Sequence, residues 1–184
     1  MVQLTHDQLK QLIALARADA PQETCGLIGG KDDKALRIYP LENVDDQPQI
    51  RYLGDPQQQL RALQEIDENG WDVLAIYHSH PATQAYPSQT DISRAFYPDA
   101  IYMLISLMNP EQATVRAYTI HEGQVGEITL EVEDETHESP RTNTRRAAQP
   151  ARRPRAGRTV AALSKRRPAS GTTRRPRGRV SKKV

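Results

Sequence analysis

All 23 acidic residues of this 184-residue chain lie within positions 1–138, and positions 139–184 carry none. The first segment holds nine Lys and Arg against those 23 Asp and Glu, a net charge of −14, while the second holds the other sixteen basic residues, a net charge of +16. The near-neutral total of +2 therefore conceals two segments of opposite character. From Ser139 onward the chain is mostly Arg, Pro, Ala, Thr and Gly, with no aromatic and few aliphatic residues. Ordering a residue costs roughly 1–2 kcal/mol of backbone entropy, and this composition has too little apolar surface to offset it. A folded core is thus confined to residues 1–138, long enough for one domain and too short for two. Residues 139–184 are expected to form a disordered, Arg/Pro-rich basic tail. Runs such as Arg152-Arg153-Pro154-Arg155 suit nonspecific, salt-dependent contact with nucleic acid phosphates, but the tail has no aromatics on which bases would stack. A solvated appendage, or a tail leaning on an acidic domain of its own chain or a neighbour's, is the competing reading.

Within the first segment, Thr5-His6-Asp7-Gln8 is a capping box with Leu4 and Leu9 at staple positions, predicting a helix over 6–19 that ends before Pro21. Leu9, Leu12, Ile13 and Ala16 mark its buried stripe. Strands are expected over 24–28, 36–40 and 50–53. Asp55-Pro56 starts a second helix with Leu60, Leu63 and Ile66 on one face, and Gly70 stops it. A short helix near 91–96 and strands over 101–108, 114–120 and 126–132 complete the domain. Asn-Pro and Glu-Gly turns separate these last three strands, as in a meander.

The chemistry concentrates between His78 and Asp91. Trp71 to His80 is a short apolar run with β-branched and aromatic residues, bounded by Gly70 and Pro81, and reads as a buried strand. Side chains two apart on a strand share a face, so His78 and His80 can reach one metal while Ser79 points away. Pro81 lacks the N–H needed to continue a ladder. The following Pro-Ser-Gln-Thr-Asp is a helix start that can return the Asp91 carboxylate toward the imidazoles. Two nitrogens and one oxygen leave a tetrahedral zinc with an open fourth position, the arrangement of a hydrolytic rather than a structural site. A proton-transfer group is also needed. Glu23, in Pro21-Gln22-Glu23-Thr24-Cys25-Gly26, sits at the mouth of an expected strand where partial burial would raise its pKa.

These residues together resemble a known family. Glu in P-x-E-x-C-G-x-L-x-G, then H-S-H-P, then P-S-x-x-D, is the signature of the JAMM metalloproteases, the catalytically competent members of the MPN-type fold. Here it comprises Glu23, His78, His80, Ser88 and Asp91, with seven residues between His80 and Ser88 and two between Ser88 and Asp91. The resemblance spans roughly residues 1–132. It implies an α+β fold, a curved mixed β-sheet of MPN (cytidine-deaminase-like) type flanked by helices. It also implies one zinc ion per chain on His78, His80 and Asp91, with Glu23 as general acid/base and Ser88 steadying the oxyanion. The activity implied is that of a metallopeptidase or isopeptidase acting at the C-terminal Gly-Gly tail of a ubiquitin-like or sulfur-carrier protein, such as a carrier–cysteine adduct.

Other readings compete at each position. The His pair can be ordinary core histidines, Glu23 an ordinary loop carboxylate, and Ser88 a helix cap. The lone Cys25 suggests a thiol nucleophile, but its apolar neighbours favour a small buried hydrophobe, and one cysteine excludes an internal disulfide. Two further classes stand beside the enzyme: a non-catalytic MPN-type scaffold, and a RadC-like factor associated with nucleic acid. The scaffold branch typically loses the metal ligands, all present here. The RadC-like proteins usually carry a helix-hairpin-helix ahead of the motif, which the first seventy residues do not suggest. No signal peptide, membrane span or repeat is apparent, so a cytoplasmic protein with no membrane partner is expected.

Overall fold

The structure, a computed structural model, describes residues 1–109 and 111–133. The basic tail over 139–184, its expected disorder and nucleic acid contact, and the boundary after residue 138 lie outside the described residues. The elements in chain order are β1 (Val2–Thr5), α1 (His6–Asp19), β2 (Cys25–Lys31), β3 (Lys34–Leu41), α2 (Pro56–Glu68), β4 (Asp72–His80), α3 (Gln89–Ser93), β5 (Ile101–Ser106), β6 (Thr114–His121), β7 (Gln124–Ile128) and β8 (Leu130–Glu133). One mixed sheet takes the order β7-β6-β5-β4-β2-β3-β1-β8. The β4–β5, β1–β3 and β1–β8 pairs are parallel, and the others antiparallel. Only Thr129 separates β7 from β8, yet they lie at opposite edges, so the sheet curls until its two ends nearly meet.

α1 packs on one face of the sheet and α2, with the short α3, on the other, and strand alternation sorts the residues between them. Leu12 and Ala16 of α1 pack with Ile28, Ala75, Tyr77, Met103 and Ile105. Ala62 and Ile66 of α2 pack with Leu27, Tyr39, Ile76, Tyr102 and Leu104 on the other face. Burying each of the larger aliphatics contributes roughly 1.5–3 kcal/mol. Gly26 shows how tightly β2 is held: a Cβ there would lie 2.3 Å from the Tyr39 carbonyl oxygen and 2.5 Å from the Tyr77 ring.

The N-terminal cap forms as expected. Thr5 Oγ1 accepts from Gln8 N at 3.1 Å, and Gln8 Oε1 accepts from Thr5 N at 2.9 Å. Asp55 caps α2, and Gly70, at φ +65, follows its end. Three expectations need correction. Residues 50–53 form no strand, because their backbone groups are engaged by the Asn43 side chain and by the loop itself; the pairing there is a single bridge between Asn43 and Gly54. The expected strand over 126–132 is two strands broken at Thr129, whose carbonyl accepts from Val2 N at 3.0 Å as the chain passes to β8. β1, unanticipated, fills the place between β3 and β8. The short helix also starts earlier than expected, at Gln89, because Ser88 caps it.

Candidate metal centre

β4 lies inside the sheet between β2 and β5, and its last residues place the histidines. His78 pairs in register with Cys25 and Leu104, and His80 with Ser106. Both imidazoles project to one face. Ser79 is buried and holds the segment leading into β2: its Oγ accepts from Thr24 N at 2.9 Å and its N donates to Thr24 O at 2.9 Å. After Pro81 the chain is pinned by its carbonyls, with Ser106 Oγ donating to Thr83 O and Tyr118 Oη to Ala85 O. α3 then brings Asp91 back. His78 Nε2 and His80 Nε2 lie 3.1 Å apart, and Asp91 Oδ2 lies 3.5 and 3.4 Å from them. The three residues are 0%, 5% and 9% exposed.

This donor set fits a metal ion. Ligands held tetrahedrally about 2.0–2.1 Å from zinc are separated by about 3.3–3.4 Å, close to the spacings here. His80 Nδ1 lies 2.8 Å from the Gln84 carbonyl, which can only accept, so Nδ1 carries the proton and Nε2 presents a lone pair. Burial lowers the His78 pKa, against the pull of Asp91, and favours the neutral ligand form. Burial opposes protonation of His80 too, but the Asp91 and Gln84 contacts outweigh it and its pKa is raised. Burial pushes Asp91 up, but hydrogen bonds with His78, His80 and Ser88 hold its carboxyl well below the usual range, so it is anionic. Imidazole lone pairs and a carboxylate converging at this range need protons or a cation between them. Tyr52 stacks on His78 with ring centroids 4.4 Å apart and planes at 23°.

Glu23 lies two residues before β2 and is 6% exposed. Burial, with smaller contributions from Asp91 and Asp45 and opposition from His80, pushes its pKa from 4.5 up to about 7. Its carboxyl thus lies within electrostatic reach of two of the three metal-ligand candidates. Ser88 caps α3: Oγ accepts from Asp91 N at 3.2 Å while Asp91 Oδ2 accepts from Ser88 N at 2.7 Å. The cap therefore orients the carboxylate that faces the histidines. Cys25 is 1% exposed, its Sγ lies 3.7 Å from the Leu41 carbonyl, and burial pushes its thiol up to about 12, which disfavours a thiolate nucleophile. The local pattern places Tyr52 in a strand and gives no sign of Asn43 or the Gln84 carbonyl. An aromatic and an Asn in a polar loop have no periodicity or spacing that would signal their roles.

A cavity of about 310 Å³ opens beside the cluster, lined by Cys25, Leu27, Tyr52, Arg94, Phe96 and Tyr102 among others. It borders the cluster through Tyr52, which stacks on His78, and none of the three ligand candidates lines it or the larger cleft of about 570 Å³ at the far end of β4 near Asp72 and Asp99.

Residues 5–121 match the family described as prokaryotic homologs of the JAB domain. The chain belongs to this family. Among its JAB-domain relatives, the CysO-cysteine peptidase of Mycobacterium tuberculosis is 37% identical over 128 residues, spanning 68% of this chain and 87% of that protein. The probable TtuB-protein conjugate cleaving protease of Thermus thermophilus is 39% identical over 114 residues, spanning 62% of this chain and 71% of that one. A Desulfitobacterium hafniense protein of known solution structure is 37% identical and superposes with a TM-score of 0.68, covering 76% of this chain and 97% of that protein. As the JAMM-type signature implies, the JAB-domain fold here is a curved mixed sheet flanked by helices. Among the described residues no helix is long and apolar enough to cross a membrane.

Proposed function

We propose that this protein is a zinc-dependent peptidase or isopeptidase that hydrolyses the amide bond following the C-terminal Gly-Gly of a ubiquitin-like or sulfur-carrier protein, a carrier–cysteine adduct being the simplest substrate. The observation that carries this reading is the buried convergence of His78 Nε2, His80 Nε2 and Asp91 Oδ2 beside a carboxyl, Glu23, whose pKa lies at about 7. Relatives named for cleaving a CysO–cysteine bond and a TtuB–protein conjugate support the substrate class. His78, His80 and Asp91 would hold one zinc ion, which supplies Lewis acidity toward the scissile carbonyl and acidifies water. Glu23 would take the proton released by the attacking water and return it to the leaving amine, a task suited to a buried carboxylate that gains a proton readily.

Ser88 has chemistry left for the oxyanion. Its Oγ accepts from Asp91 N, but a hydroxyl has a second lone pair and its own hydrogen. That O–H can donate to developing negative charge while the cap persists. A Gly-Gly tail, which brings backbone with no side chains, suits ligand candidates that are at most 9% exposed. The protein acts in the cytoplasm in this reading, and residues 139–184 form an appendage to a catalytic domain of residues 1–138.

The test is direct. Zinc-loaded protein is incubated with a sulfur-carrier protein extended beyond Gly-Gly by cysteine, and cleavage is followed by mass spectrometry. Cleavage after the second glycine, with Glu23→Gln retaining zinc but inactive, is expected. An inert wild-type enzyme, or Glu23→Gln working at full rate, would refute the reading.

A further inference from the structure

The β2–β4 ladder begins at Cys25 and His78, so the sheet does not set the main chain of Glu23. Both of its backbone groups bond instead to the loop 42–55 between β3 and α2. Glu23 N donates to Pro48 O at 2.7 Å, and Glu23 O accepts from Asn43 Nδ2 at 2.9 Å. Asn43 is also the organiser of that loop. Its Nδ2 donates to Arg51 O at 3.0 Å and, more weakly, to Pro48 O at 3.4 Å, while its Oδ1 accepts from Asp45 N at 3.1 Å and Leu53 N at 3.0 Å. The same loop contributes Tyr52, which stacks on His78, and Tyr52, Leu53 and Gly54 wall the cavity beside the cluster. One amide side chain therefore ties the proton-transfer carboxyl, a ring packed on a metal-ligand histidine, and the groove wall into a single unit.

We propose that Asn43 is a positioning residue for Glu23: its amide N–H groups fasten the Glu23 main chain to the loop 42–55, while its carbonyl oxygen shapes the loop that walls the groove. This rests on the hydrolytic reading above and assigns the holding of its general base to a residue outside the ligand set. The amide oxygen serves the loop alone, while the N–H groups reach both Glu23 O and the loop carbonyl of Arg51. Asn43→Asp keeps the shape and the acceptor for Asp45 N and Leu53 N but removes the donor to Glu23 O and to Arg51 O. The neutral Asn43→Ser is too short to span to Glu23 and controls for the added charge.

The experiment uses the full, zinc-loaded chain, with the carrier–Gly-Gly–cysteine protein as probe. Amide hydrogen exchange is read at Glu23, Asp45 and Leu53 alongside kcat, KM and zinc content. In Asn43→Asp, the Asp45 and Leu53 amides should stay protected as in the wild type. Glu23 should exchange at least about 10-fold faster, and kcat should fall about 30-fold with KM and zinc content nearly unchanged, as expected for a misplaced reacting group. Asn43→Ser should reproduce the fall in kcat, and it decides the matter if Asn43→Asp does not fold. Unchanged Glu23 exchange, unchanged kcat, or a rise in KM alone would each overturn the proposal. If the wild type leaves the probe intact, the hydrolytic reading fails, while the exchange pattern still decides whether Asn43 holds Glu23.

Discussion

Replacing Glu23 by Gln should stabilise the metal-free protein in a pH-dependent way. Burial raises the folded-state pKa of Glu23 from 4.5 to about 7, so between these values the folded state holds a proton that the unfolded state has released. Stability from this residue is fully present below pH 4.5, declines as the pH rises, and is lost once the pH passes about 7. A tenfold change in a proton-binding constant is worth about 1.4 kcal/mol, so the ionised carboxylate costs up to about 3 kcal/mol at pH 8. Gln has nearly the same shape and no charge to bury. At about 3 °C per kcal/mol for a domain of this size, the Tm of metal-free Glu23→Gln at pH 8 should exceed that of wild type by roughly 5–9 °C. The gain should vanish at pH 4, and zinc should shrink it at pH 8, because a nearby cation favours the carboxylate. Differential scanning calorimetry on EDTA-treated protein at both pH values supplies the measurement. Equal Tm values at pH 8, or a gain that survives at pH 4, would refute the reasoning that the site holds its acid by desolvation.

Replacing either His78 or Asp91 with Ala removes one of three donors and should weaken zinc binding by at least about 100-fold in competition titrations with a chromophoric chelator. Ser88→Ala should cost about 1 kcal/mol of stability through the lost cap and, if the hydroxyl serves the oxyanion, at least about 100-fold in kcat; a kcat that tracks only the folded fraction would leave Ser88 as a cap alone. Gly26→Ala drives a methyl into the Tyr39 carbonyl and the Tyr77 ring, and urea unfolding should show a loss of about 2 kcal/mol or more. Deleting residues 139–184 should leave turnover of the carrier adduct unchanged in steady-state assays, since the described site draws every residue from positions before 119.

Local patterns were enough for much of the molecule. The Thr5–Gln8 capping box, the Asp55-Pro56 helix start and the apolar run into His78 are written in adjacent residues, and each became the expected element. The spacing of His78, His80, Ser88 and Asp91 is local in the same sense: two positions on one strand, then a turn and a helix start within fourteen residues. Strand alternation and helix capping act over a few residues, so such a cluster is legible before any fold is known.

What depended on distant parts of the chain was not legible. β1 and β8 meet across more than a hundred residues, and no local pattern says that the chain after Thr129 must cross to the far edge of the sheet. The residues over 50–53 look like a strand, but they lie in a loop whose backbone is bonded by Asn43. The electrostatics of the site are likewise tertiary. Glu23 lies 55 positions before His78, and only the folded sheet buries it next to Asp91 and moves its titration to about 7. Local spacing therefore determined which donor atoms this chain can gather into one cluster. Desolvation and long-range hydrogen bonds, which exist only once the chain is packed, decided the charge those atoms carry and how the acid beside them is held.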